Sequence, residues 1–267
     1  MTALAPPAAG NRRAEPLLTP AARAGLRSEG FRWAVAPALA AWAVLFLTTE
    51  TGRGLEFCFG AGTGSLGAAG SAIRAEFALI DPGRVAADWL LMVVAMMLPL
   101  ALPAVAHVAA RSYLRRRNRS LALFVTGFTL AWCAAGGLAI PVLLLSDAIL
   151  DSAGLGHLGG IIGCSIAALW QLSPAKLLAL RRCHYRPSMP AVGRAADLGA
   201  LTYGLGHGLR CLRSCLALMV PPLFGGQHLL AMAVVMLLLL AERATDRPSF
   251  RGSAQVLLLL GLAISAG

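Results

Sequence analysis

Apolar stretches recur along almost the whole chain, several of them near the roughly 20 residues a helix needs to cross a bilayer. A soluble domain carries about 25% charged residues. Here the charged share is 13%, the hydrophobic share is 58%, and mean hydropathy is +0.72. The pattern predicts an all-α, polytopic transmembrane helix bundle of about seven spans, near residues 33–49, 85–109, 120–146, 155–175, 198–221, 226–241 and 254–266. Residues 1–30, rich in Ala, Pro and Arg, read as a disordered basic tail. Residues 31–267 then form a single transmembrane domain.

Proline and glycine punctuate these runs. Pro99 and Pro103 should bend the second run and Pro141 the third, because proline removes a helix hydrogen bond. Pro221-Pro222 should end the fifth. The connection near 50–84 contains "GAGTGSLGAAGS" (Gly60–Ser71), a flexible composition.

The formal net charge of +11 raises the possibility of a nucleic-acid partner. Its distribution points to a lipid bilayer instead. The tail and the connections after the second, fourth and sixth runs hold 18 of the 23 lysines and arginines. The alternate connections hold only Arg53, Arg74 and Arg84, together with six of the twelve acids. Positive loops face the cytoplasm. The expected placement is therefore a multi-pass protein of the bacterial inner membrane, N-terminus cytoplasmic, with no nucleic-acid partner.

Two helical stripes could carry chemistry. In "HGLRCLRSCLALM" (His207–Met219), His207, Cys211, Cys215 and Met219 step by four and share one face of a helix. Thiolate and thioether sulfur suit Cu(I). Steps of four drift by about 40° each, and the ends of this stripe lie about 18 Å apart in height. No single ion can span it. In "DWLLMVVAMMLP" (Asp88–Pro99), Met92 and Met96 repeat the step and Met97 adjoins them. Each stripe also has a plainer reading, since methionine and free cysteine are common packing residues. Were the two helices neighbours, Met92 or Met96 could face Cys215 or Cys211 and complete a Cu(I) site. Zinc would need a closed tetrahedron, with His207, Cys211 and Cys215 as three of its ligands.

Arg210 and Arg213 are costly inside a span and would pair with an acid such as Asp88 or line an aqueous cavity. Lys176, the chain's only lysine, and the Cys183-His184 pair fall in what reads as a basic loop at the membrane surface. Glu242 beside Arg243 reads as a solvated pair closing the sixth run.

"DWLLMVVAMMLPLALP" (Asp88–Pro103), "WQLSPAKLLALRRC" (Trp170–Cys183) and "HGLRCLRSCLALM", in that order, resemble a bacterial family of predicted metal-binding integral membrane proteins. Some of its members are described as membrane copper chaperones that serve copper oxidases such as polyphenol oxidase. The resemblance implies copper handling, with Met96, Met97, His207, Cys211, Cys215 and Met219 at family-matching positions. The family typically has a Cys-Cys pair where this chain has Ser214-Cys215, and Arg213 stands where a small residue is expected. The expected function is Cu(I) binding and delivery to an extracytoplasmic copper enzyme, without catalysis. A membrane thiol-redox protein and a non-catalytic assembly subunit are the alternatives.

Overall fold

The computed structural model describes residues 28–50, 81–155, 158–183, 185–190, 192–223, 228–244 and 250–266. The Gly60–Ser71 connection, Cys58, His184 and all of the predicted tail before Ser28 lie outside the described residues. The last three residues assigned to the tail, Ser28–Gly30, are already helical.

The protein is all-α. Its described residues form nine α-helices: α1 (Ala36–Glu50), α2 (Pro82–Met97), α3 (Leu102–Arg111), α4 (Arg117–Ser152), α5 (Gly159–Leu172), α6 (Pro174–Cys183), α7 (Gly193–Cys215), α8 (His228–Ala244) and α9 (Phe250–Ala266). A π-helical turn, Phe31–Val35, leads into α1. Every predicted run contains a helix. By length and composition, however, only Ser28–Thr48 and Arg117–Leu143 among the described residues are single helices able to cross a membrane. Two bent pairs raise the number to four: α2 with Pro99–Arg111, bent by 45°, and α5 with α6, bent by 75°.

The prolines act unevenly. Pro99 opens a short 3-10 turn, Pro99–Ala101, that separates α2 from α3. Pro141 lies within α4, which continues through it to Ser152. The helix of the fifth run ends earlier than Pro221, at Cys215, where the chain tightens into a 3-10 turn over Leu216–Met219.

The centre of the fold is the contact of α4 with α7. The two run in parallel, since Phe124 meets Gly204 and Phe128 meets Gly208 four residues further on. A Cβ on Gly204 would collide with the Phe124 carbonyl, and one on Gly127 with the Leu201 carbonyl. A Cβ on Gly208 would lie 2.7 Å from that of Ala131. Small residues four apart let the backbones touch, a packing mode that works where both surroundings are apolar. The N-terminal ends of both helices are joined by Asp197, which receives Arg116 at 2.6 Å and Arg119 at 2.7 Å.

The same geometry predicts a contrast between two glycines. Gly204→Ala should destabilise the protein by about 1–3 kcal/mol through overpacking. Gly137, with nothing within 4 Å of its would-be Cβ, sits mid-helix on α4. Gly137→Ala should be neutral or stabilising by up to about 1 kcal/mol. Thermal melts of the detergent-solubilised variants read the difference; equal shifts for both would contradict the close contact.

Candidate functional site

Three helices lose their regular hydrogen bonding around one buried spot, and the side chains that repair the loss build the site. Pro99 has no N–H for the Ala95 carbonyl four residues back. Trp42 Nε1 donates to that carbonyl instead, at 3.2 Å. Past the break, the Leu100 carbonyl accepts from Arg243 Nη1 at 2.9 Å. The second break is at Ser173. A residue before proline is driven towards extended backbone, and Ser173 has φ −78° and ψ 142° before Pro174. There α5 ends, and α6 folds back along α7. The third break follows Cys215. The Ser214 carbonyl accepts from Lys176 Nζ at 2.8 Å and from Trp170 Nε1 at 3.4 Å.

The thiols of Cys211 and Cys215 lie inside this frame, both buried. One helical turn apart, they share a face of α7. Ser214 donates its hydroxyl to the Cys211 carbonyl at 2.9 Å and sits 3.2 Å from Cys215 Sγ. A third thiol, Cys183, lies 3.5 Å from the same hydroxyl and donates to the Arg210 carbonyl at 3.3 Å. Arg243 reaches in from α8, its Nη2 3.5 Å from Cys211 Sγ. One guanidinium thus ties the break after α2 to the cysteine pair on α7.

Two expectations are corrected here. Lys176 is not on a surface loop; it is 0% exposed. Glu242 is not a solvated partner of Arg243; it is 4% exposed and pairs with Lys176 at 2.9 Å. Gln171 Nε2 donates to the other Glu242 oxygen. The fold of α6 onto α7 carries Lys176 inward, and a buried ammonium requires a counter-charge. The sequence held one signal of this: a single lysine in a chain otherwise supplied only with arginine. A compact ammonium with rotatable donors can serve a carbonyl and a carboxylate together, where a planar guanidinium is less adaptable.

The remaining predicted ligands divide. His207 is buried in an aromatic setting, its ring 5.9 Å from Phe124, 6.0 Å from Phe128 and 6.0 Å from Tyr203 between centroids. Among the described residues, no three His, Cys, Asp or Glu side chains gather closely enough to hold a metal ion. His207, Cys211 and Cys215 therefore do not form three quarters of a zinc tetrahedron. Met92, Met96, Met97 and Met219 are all buried in the same contiguous core as the cysteine pair. The two stripes are not on intimately packed helices, however. The main partners of α7 are α4 and α6, whereas α2 packs on α1 and α4. Trp89 and Met219 do share the wall of an apolar cleft of about 370 Å³. Arg210 and Arg213 line a second cleft rather than pairing with Asp88.

The buried ion pair makes a stability prediction. Removing one partner of such a pair costs about 3–5 kcal/mol, whereas apolar replacement of both is close to neutral. Glu242→Ala should be severely destabilising, and Lys176→Met with Glu242→Leu should recover most of the loss. Denaturation in detergent distinguishes the two; a single variant as stable as the parent would mean that the pair is solvated.

Residues 86–265 match the family described as PpoB2: Copper chaperone. Neither curated proteins nor solved structures give a match. The matched segment begins within α2, ends within α9 and contains Lys176, Cys183, Cys211, Cys215, Glu242 and Arg243, while Trp42 of α1 lies before it. The chain belongs to the PpoB2 copper chaperone family.

Proposed function

We propose that this protein is a multi-pass protein of the bacterial inner membrane that binds Cu(I) at Cys211 and Cys215 and delivers it to an extracytoplasmic copper enzyme of the polyphenol oxidase kind. The observation that carries the reading is the buried Cys211–Cys215 pair with the Arg243 guanidinium upon it. Copper is the cargo and no catalysis is required. The seven-span topology with a cytoplasmic N-terminus rests on the alternation of arginine-rich connections.

The chemistry follows from charge. Cu(I) that displaces two thiol protons leaves a bis-thiolate centre with one net negative charge. Such a charge is costly in an apolar interior unless it is paired. Arg243 supplies the compensating cation, so the loaded site is neutral overall. Two thiolates suit a soft monovalent ion such as Cu(I). The thioethers of Met92, Met96, Met97 and Met219 offer neutral soft groups through which the ion could leave by ligand exchange. His207, one turn before Cys211, belongs to the shell that packs the stripe.

Protein purified under reducing conditions from copper-supplied cells should carry about one Cu(I) per chain, the count two thiolates can hold. Cys211→Ser and Cys215→Ser should each abolish it, and Met96→Leu should weaken it. Arg243→Gln should lower affinity at least about tenfold, as the charge would then be unpaired. Affinity should fall with falling pH, because protons compete for the thiolates. Metal analysis with a Cu(I)-specific competing chelator reads all of these. A parent protein with no more copper than the cysteine variants would overturn the proposal.

A further inference from the structure

The cleft between α6 and α7 holds none of the thiols of the copper site and shares the Trp170 wall with its frame. It measures about 260 Å³ and is lined by Trp170, Ala175, Leu178, Ala179, Arg182, Arg210 and Arg213. Three arginines therefore line one small, mostly apolar space. None of the three forms an ion pair among the described residues; the ion-paired acids there, Glu29, Asp197 and Glu242, are taken by Arg32, by Arg116 and Arg119, and by Lys176. Arg210 Nε is buried without a hydrogen-bond partner among the described residues. Its guanidinium is fixed over the Tyr185 ring, 5.2 Å from the centroid. Like charges brought together at low dielectric are unfavourable unless an anion joins them.

We propose that this cleft binds the phosphate headgroup of an anionic phospholipid. Guanidinium groups match phosphate oxygens in geometry as well as charge. Ligand pockets usually measure roughly 300–1,000 Å³, so this one holds a headgroup and not a whole lipid. The acyl chains would lie on the apolar surface beside it, where Leu178 is 58% exposed and Leu209 50% exposed. Basic pockets between helices take such headgroups. The lipid setting rests on the membrane reading above; the binding itself does not depend on copper.

Native mass spectrometry of the full-length protein, released from detergent and titrated with lipid, tests the assignment. Dioleoylphosphatidylglycerol should be retained at least about tenfold over dioleoylphosphatidylcholine. The doubles Arg210→Gln/Arg213→Gln and Arg181→Gln/Arg186→Gln remove equal charge. The first should lose the preference and the second, outside the cleft wall, should keep it. Adducts should survive excess inorganic phosphate. Equal retention of the two lipids by the parent protein would overturn the proposal even if the variants fold poorly. So would equal losses in the two doubles, or displacement by inorganic phosphate, which would mark a site for a soluble anion. A protein that keeps the lipid preference but carries no copper would sink the copper reading alone.

Discussion

Backbone carbonyls released by broken helices must find donors wherever water is excluded, and much of the arrangement around Cys211 and Cys215 follows from that need. Ala95, Leu100 and Ser214 each present such a carbonyl. Their donors are an indole, a guanidinium and an ammonium. The two charged donors bring further obligations. Lys176 requires Glu242, and Glu242 is held in turn by Gln171. Arg243 turns its second nitrogen to the thiols. A cation beside the cysteine pair is thus a by-product of repairing the backbone, which the chemistry of a soft metal can then use.

The departure at Ser214 reads differently in this setting. Where the resemblance led to the expectation of a second adjacent thiol, the hydroxyl here touches Cys215, the Cys211 carbonyl and Cys183. It links two helices and two sulfur atoms through one oxygen. Arg213, the other departure, faces away from the thiols and into the arginine-lined cleft. The two substitutions therefore act on different sites, although they are neighbours in sequence.

Helix content, the apolar runs and the break at Pro99 could be read from residue type and spacing, because each is a local property. The stripe of His207, Cys211, Cys215 and Met219 could be read for the same reason, and all four side chains are buried. What could not be read was which helices meet. The proposal that the second and fifth runs face each other used depth alone, and depth does not fix lateral order. The glycines at 127, 204 and 208 carried that information, since a small residue every fourth position marks a helix meant to touch another. Lys176 and Glu242 were misplaced because, in sequence, each ends an apolar run beside arginines, the usual mark of a water-facing boundary. The 75° turn at Ser173 separates Lys176 from that boundary, and no local rule gives the direction of such a turn.

The backbone contact between α4 and α7 bears on how an ion could leave. Gly204 and Gly208 press α7 against α4 with no side chain between, so α7 cannot rotate about its axis without driving a Cβ or a carbonyl into its neighbour. The two thiols are mounted on the stationary member of the site. The groups that close over them arrive from α6 and α8, on side chains held by hydrogen bonds and one ion pair. Those can be exchanged one at a time. Under the proposed copper function, an opening that frees the ion would be a loosening of the surrounding helices around a fixed sulfur pair, with the cysteines acting as an anvil rather than a hinge.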